Sequence, residues 1–197
     1  EGFKFPNDFK KIDLIGDVAA NFSSITKDEL ISKKVDIQTA GRIVLKRVMG
    51  KVAFMTLEDQ SGRIQVYYSN DNLGDQYNAI KEFDLGDIVG VSGQLFRTKT
   101  DELTIEVEKF QLLTKSLNPM PEKHAGLTDI ETIYRKRHVD LMSNPEARET
   151  FIKRTKIVES IRNNMQSENF LEVETPMMHP IPGGANARPF KTHHNTL

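Results

Sequence analysis

The chain has 197 residues, of which 38% are hydrophobic and 28% are charged, and it contains no cysteine. This composition is typical of a globular protein with a buried core, and the length suits one domain plus part of another. It excludes a disulfide framework or a thiolate metal site. The near balance of 27 basic and 28 acidic residues excludes a polycation that binds nucleic acid indiscriminately. Because no apolar run has the length of a membrane span, we expect a cytoplasmic protein without a membrane partner.

The first 34 residues are predicted to form an extension with one short helix. Residues 24–34, SITKDELISKK, offer Ser and Thr as N-cap candidates, acids early and lysines late. This charge order suits a helix dipole.

Residues 35–116 have the pattern of a β domain. Three strands are predicted in VDIQTAGRIVLKRV, KVAFMTLEDQ and RIQVYYS, then a helix over residues 72–83, then strands in DIVGVSGQLFRTKT and ELTIEVEKFQLL. Other five-stranded barrels would produce a similar periodicity. The helix between the third and fourth strands favours an OB-fold over an SH3-like barrel.

A linker is predicted over residues 117–130, where two prolines and a glycine interrupt all periodicity. Residues 131–143 and 145–168 are predicted to be helical. The second helix has Phe151, Val158, Ile161 and Met165 on one stripe. Residues 170–175, FLEVET, alternate as a strand that ends at Pro176.

Outward-facing residues on the predicted barrel include candidates for binding a base. Period-two alternation places Met55 and Leu57 on the core face, so Phe54 faces outward, as do Gln65 and Glu102. An exposed phenylalanine on an OB sheet can stack a base. Taken without the neighbouring residues, Phe54 is equally compatible with the alternative that its ring packs under a loop.

A local basic patch lies beside this predicted platform. Arg42, Lys46, Arg47 and Lys51 occur in ten residues without an acid. Four positive charges alone are more often a solvated hairpin, but an aromatic, an amide and a carboxylate nearby favour phosphate binding. Uracil presents two carbonyl acceptors and one N–H donor, which Arg, Gln and a carboxylate can satisfy. The pattern therefore indicates a base in single-stranded RNA.

Five segments together resemble bacterial-type class II lysyl-tRNA synthetases. These are VMGKVAFMTLEDQSGRIQVY, FDLGDIVGVSGQLFRTKT, YRKRHVDLMSN, FLEVETPMM and IPGGANARPFKTHHNTL, in that order and spacing. The resemblance covers residues 35–197 and implies a mixed α+β chain. Its expected domains are an extension (1–34), an OB-fold anticodon-binding domain (35–116), a linker (117–130) and part of a class II antiparallel-sheet catalytic domain (131–197), which carries the family's dimer-interface motif.

The resemblance also implies roles for particular residues. Arg47, Phe54, Gln65 and Glu102 match positions where the family recognises the uridine-rich anticodon of lysine tRNA, and Gly183 matches a position beside bound lysine. The whole enzyme would be a homodimer that forms lysyl-adenylate from lysine and ATP with Mg²⁺ and transfers the lysyl group to tRNA(Lys). The later class II motifs, with their catalytic and metal-binding residues, are expected beyond residue 197. We therefore expect these residues alone to be inactive and to need no cofactor.

Two other functions fit part of the pattern. One is a free-standing module that binds tRNA or single-stranded RNA, and the other is a part of an aspartyl- or asparaginyl-tRNA synthetase. Among the remaining residues, His193 and His194 are adjacent and so are improbable ligands of one metal. Glu172 and Glu174 suit a salt bridge or a dimer interface better than acid–base catalysis. Asn186 departs from the small residues usual in the family.

Overall fold

A computed structural model of the chain describes residues 5–121 and 127–176, together with residues 188, 190, 192, 193 and 195. The chain divides into two compact units, residues 1–135 and 136–197. The elements are, in chain order, α1 (Ile15–Phe22), α2 (Lys27–Lys33), β1 (Asp36–Met49), β2 (Val52–Glu58), β3 (Arg63–Ser69), α3 (Asn70–Leu73), a 3₁₀ turn (Gly74–Gln76), α4 (Tyr77–Ile80), β4 (Ile88–Arg97), β5 (Leu103–Thr114), α5 (Ile130–Arg135), α6 (Arg137–Ser143) and α7 (Pro145–Ser167).

The five strands close into a barrel in the order β1-β2-β3-β5-β4. β1 pairs antiparallel with both β2 and β4, and β3 pairs parallel with β5. A strand that serves two neighbours must bend, and the register of β1 with β2 shifts between Ile43 and Leu45, as at a β-bulge. The predicted five-stranded OB-fold, with its helical connection between the third and fourth strands, is confirmed.

The barrel core follows the two-residue period of the strands. Ala53, Met55 and Leu57 of β2 are buried, whereas the residues between them are partly exposed. β4 lies so close to β5 that a Cβ at Gly93 would overlap the Glu106 carbonyl oxygen. Only glycine fits at this position, where the register of β4 with β5 also shifts.

Two helices precede the barrel, and the sequence patterns predicted only the second of them. α2 begins with a capping box, in which the Thr26 hydroxyl accepts from the Glu29 N–H and the Glu29 carboxylate accepts from the Thr26 N–H. α1 has no side-chain cap of its own. Its first N–H, on Ile15, instead donates to the Asp59 carboxylate at 3.0 Å. A residue 44 positions away therefore satisfies the start of α1.

The ionisation of Asp59 should make the stability of the barrel unit depend on pH. Burial alone would raise the pKa of its carboxyl, but hydrogen bonds from Lys11, Ser61 and the Ile15 N–H outweigh burial and hold that pKa below its usual range. A folded pKa below the unfolded value of about 3.9 adds stability above that pH, and this stability is lost as the pH falls. We expect Asp59→Asn to lower the urea midpoint at pH 7, and we expect the difference from the parent chain to shrink as the pH falls from about 4 toward 2.

The matched control for this measurement is Asp71→Asn, which alters an exposed carboxylate on α3. The control should follow the parent chain at every pH. An Asp59→Asn variant with the same loss of stability at pH 2 and pH 7 would contradict the ionic role of Asp59.

The connection between β3 and β4 is broken into short pieces. The sequence predicted one helix over residues 72–83, and that prediction is wrong, because α3 ends at Leu73, a 3₁₀ turn follows, and α4 has only four residues. Gly74 adopts φ +54°, which ends α3. The segment nevertheless buries Leu73, Tyr77, Ile80 and Phe83 in the barrel core. Tertiary burial, rather than helix length, determines its conformation.

The second unit consists of α6, α7 and the segment that follows. The Asn144 side chain caps α7 by accepting from the N–H groups of Glu146 and Ala147. The predicted helix over residues 131–143 is divided at Lys136 into α5 and α6. No residue of α7 is buried within the described chain. None of the helices in the described ranges is long and apolar enough to span a bilayer.

The predicted strand over residues 170–175 is a further difference. These residues have no strand conformation in the structure. A strand exists only when its backbone pairs with another strand, and no strand of the described chain pairs with this segment. The Glu172 carboxylate forms an ion pair with Arg162 of α7 at 2.9 Å, which agrees with the predicted salt bridge for that residue.

Candidate nucleic-acid interface

A groove of about 720 Å³ lies on the outer face of the barrel and is lined by residues of all five strands. One row of register partners crosses its floor: Arg47 pairs with Phe54, Phe54 with Tyr67, and Tyr67 with Glu106. The row has a basic end on β1 and an acidic end on β5, with two aromatic rings between them. Such a floor can stack a base and contact polar groups at both edges.

The aromatic side chains of the groove form a connected set. The Phe54 and Tyr67 ring centroids are 5.0 Å apart, and those of Tyr67 and Phe96 are 5.9 Å apart. Each of the three residues is partly exposed. Because the sheet holds Phe54 against Tyr67, the Phe54 ring is already oriented. Binding of a base would therefore restrict few additional rotatable bonds of the side chain.

A second row of register partners supplies polar groups beside the rings. Gln65 pairs with Thr56 of β2 and with Thr104 of β5. The Gln65 side-chain oxygen accepts from the Thr104 hydroxyl at 3.0 Å. In the first row, the Glu106 carboxylate accepts from the Asn72 side-chain amide at 2.9 Å. The groove therefore presents an amide and a carboxylate that are both positioned by neighbours.

The predicted basic patch is divided between two roles. The Arg42 guanidinium donates to the Gly86 carbonyl at 2.7 Å, and the Lys46 ammonium donates to the carbonyls of Lys81 and Phe83. Burial lowers the pKa of Lys46, and the attraction of nearby Asp84 opposes this only in part. These two cations support the segment around α4, so the prediction of a free four-charge phosphate patch is wrong.

The other two cations of the patch, Arg47 and Lys51, are exposed. Arg47 borders the groove, and Lys51 lies in the β1–β2 hairpin turn. Phosphate binding on this side of the barrel would therefore depend on the hairpin.

The four predicted anticodon residues do not all lie together. Arg47, Phe54 and Gln65 line the groove. Glu102 is exposed immediately before β5 and borders a smaller cavity with Arg63. The Thr104 hydroxyl lies 3.1 Å from the backbone carbonyl oxygen of Glu102, and it connects Glu102 to Gln65 through one side chain.

Three residues discussed in the sequence analysis cannot be placed in the structure. Gly183, Asn186 and His194 lie outside the described residues.

Three groove residues escaped the sequence prediction: Tyr67, Phe96 and Glu106. Period-two alternation places Tyr67 and Glu106 outward, so the signal for these two was present. Their position beside Phe54 depends on the pairing of β3 with β2 and with β5. Local periodicity does not contain that pairing.

Comparison with known proteins assigns both parts of the chain. Residues 37–113 match the family described as OB-fold nucleic acid binding domain, and residues 129–197 match tRNA synthetases class II (D, K and N). The whole chain is 56% identical to 39% of the lysine–tRNA ligase of Thiobacillus denitrificans. It is 54% identical to 40% of that of Legionella pneumophila strain Lens, and 52% identical to 39% of that of Laribacter hongkongensis.

The chain therefore combines an OB barrel with a segment that matches the class II tRNA synthetases. The three relatives have the same specificity, which favours the lysyl assignment over the aspartyl or asparaginyl alternative. The chain is similar over its whole length to these lysine–tRNA ligases, and it spans about 40% of the length of the curated relatives it matches.

The resemblance implies Mg²⁺ for the whole enzyme. Within the described ranges, no three or more Asp, Glu or His side chains are grouped so that they could hold a metal ion. The described residues therefore do not fit a magnesium site.

Proposed function

We propose that the barrel binds the anticodon of a lysine tRNA, with Arg47, Phe54, Gln65 and Glu102 as the recognising residues. The observation that carries this proposal is the groove in which the Phe54 ring lies between Arg47 and Tyr67 on an OB barrel. Stacking on an aromatic ring binds any base, so uridine must be selected by polar groups at the base edge. Gln65 is the partly exposed amide in the next row of the groove.

In the whole protein, we propose that this recognition serves lysine–tRNA ligation. Lysine would be activated by ATP with Mg²⁺ to lysyl-adenylate and then transferred to tRNA(Lys) by a cytoplasmic homodimer. Residues 35–116 would form the anticodon-binding domain, residues 117–130 the linker, and residues 131–197 part of the catalytic domain, with Gly183 beside bound lysine. The match to class II synthetases supports this division of labour. The expected inactivity of residues 1–197 alone remains a prediction.

The experiment that tests anticodon recognition is a binding comparison of two RNA stem-loops. The unaltered chain should bind a lysine anticodon stem-loop more tightly than one in which its uridines are replaced by cytidines. Gln65→Ala should reduce this preference more than it reduces overall affinity, because it removes a base-edge contact and retains the stacking ring. Fluorescence anisotropy at fixed salt measures both affinities. Equal affinity of the unaltered chain for both stem-loops would overturn uridine recognition.

Lys51 should contribute to RNA binding through charge alone. Its side chain is exposed in the hairpin turn, where a phosphate can approach. We expect Lys51→Ala to weaken binding of the uridine and cytidine stem-loops equally. It should also reduce the slope of log affinity against log salt by about 0.7, the value for one phosphate of a single strand.

Lys33→Ala is the matched control, since Lys33 is an exposed lysine on α2, outside the groove lining. It should leave the salt slope unchanged. An unchanged slope for Lys51→Ala as well would remove Lys51 from the phosphate contacts.

A further inference from the structure

Thr104 is a buried polar residue directly behind the candidate base-recognising amide. It lies on β5, is 0% exposed, and is the register partner of Gln65 across the parallel β3–β5 pair. Its hydroxyl is 3.0 Å from the Gln65 side-chain oxygen and 3.1 Å from the Glu102 carbonyl oxygen. A buried hydroxyl between two acceptors has one hydrogen to donate. Which acceptor receives this hydrogen determines how the Gln65 amide is oriented.

The Glu102 carbonyl has another donor available. It accepts from the Thr98 N–H at 3.1 Å, in the turn that joins β4 to β5. The hydrogen of Thr104 is therefore available for Gln65. When it is donated to the Gln65 oxygen, the amide oxygen is held against β5, and the amide nitrogen is left as a donor on a residue that lines the groove. That nitrogen has no acceptor among the residues that the structure describes.

We propose that Thr104 is a positioning residue that fixes the Gln65 amide as a hydrogen-bond donor and so selects uridine over cytidine. This inference rests on the proposed function of the groove. Uridine offers carbonyl oxygens to an N–H donor, whereas cytidine has an amino group in place of one of them. Two donors facing each other leave both unsatisfied. A glutamine without Thr104 can rotate its amide and accept from cytidine instead, so the discrimination depends on the hydroxyl behind it.

The test uses Thr104→Val, which replaces the hydroxyl by a methyl group of similar shape, and Thr104→Ser, which restores the hydroxyl. In the anisotropy assay, the unaltered chain should prefer the uridine stem-loop by roughly tenfold, the order expected for one unsatisfied polar group. Thr104→Val should bring the ratio of the uridine to the cytidine affinity close to one. The affinity for the uridine stem-loop itself should fall by a smaller factor than this ratio does. Thr104→Ser should retain most of the preference. In a Gln65→Ala background, Thr104→Val should cause no further change, because the two residues act as one unit.

A second measurement needs no RNA and shows the orientation directly. The side-chain N–H₂ signals of Gln65 in nitrogen-15 NMR spectra should report a rigid amide in the unaltered chain and in Thr104→Ser, and a mobile one in Thr104→Val. An unchanged uridine preference in a folded Thr104→Val variant, or an equally rigid amide, would overturn the inference while the proposed function stands. Failure of the unaltered chain to bind either stem-loop would overturn the proposed function and the base selection together.

Discussion

Replacing Phe54 by alanine is expected to weaken binding of the lysine anticodon stem-loop by about 1–3 kcal/mol, the range for removing one aromatic ring from beneath a base. Phe54 lies on the outer face of β2, between the buried Ala53 and Met55. The substitution therefore leaves the barrel core intact. The uridine and cytidine stem-loops should lose affinity alike, because every base offers a face for stacking. Anisotropy titrations of both stem-loops measure the loss.

The control for this experiment is Phe151→Ala. Phe151 is a 41% exposed phenylalanine on α7, in the other compact unit. Its removal deletes the same chemical group and should leave stem-loop affinity unchanged. A folded Phe54→Ala variant that binds as tightly as the parent would show that no base stacks on this ring.

Replacing Asp87 by alanine is expected to destabilise the barrel by roughly 3 kcal/mol, because two backbone N–H groups lose a charged acceptor worth about 1.5 kcal/mol each. The Asp87 side chain is 0% exposed. Its carboxylate accepts from the N–H groups of Asp84 and Ser116, each at 2.7 Å, and pairs with Lys115 at 2.9 Å. Urea unfolding followed by circular dichroism measures the loss.

Asp84→Asn is a matched control because Asp84 pairs with the same ammonium group of Lys115. Its side chain is 69% exposed, and exposed ion pairs add little to stability. Asp87→Ala should therefore lose far more stability than Asp84→Asn. Equal effects would mean that the contribution of Asp87 comes from Lys115 alone and not from the two buried N–H groups.

Most of the barrel could be predicted from sequence because strands have a local period. Successive side chains of a strand point to opposite faces whatever the partner strand is. That rule alone placed Met55 and Leu57 in the core and turned Phe54 and Gln65 outward, as the structure has them. The five-stranded order with a helical connection after the third strand followed from the same periodicity and from the turn residues.

The predictions that failed depend on contacts between distant residues. α1 needs the Asp59 carboxylate for its first N–H, and the segment at residues 72–83 is shaped by burial against the barrel. Residues 170–175 alternate like a strand but have no pairing partner in the described chain. Lys46 had the sequence context of a phosphate ligand, yet backbone carbonyls from residues 81 and 83 bind its ammonium.

The sequence by itself determined the architecture and the types of side chain on the outer face. Only the tertiary structure decided which of them share a groove. The parallel pairing of β3 with β5 brings Glu106 beside Tyr67 and Thr104 behind Gln65, whereas Glu102 borders another cavity. The reason is physical: alternation is set by the backbone geometry of one strand. The register between strands 39 residues apart is set by barrel closure and by core packing, which no local pattern encodes.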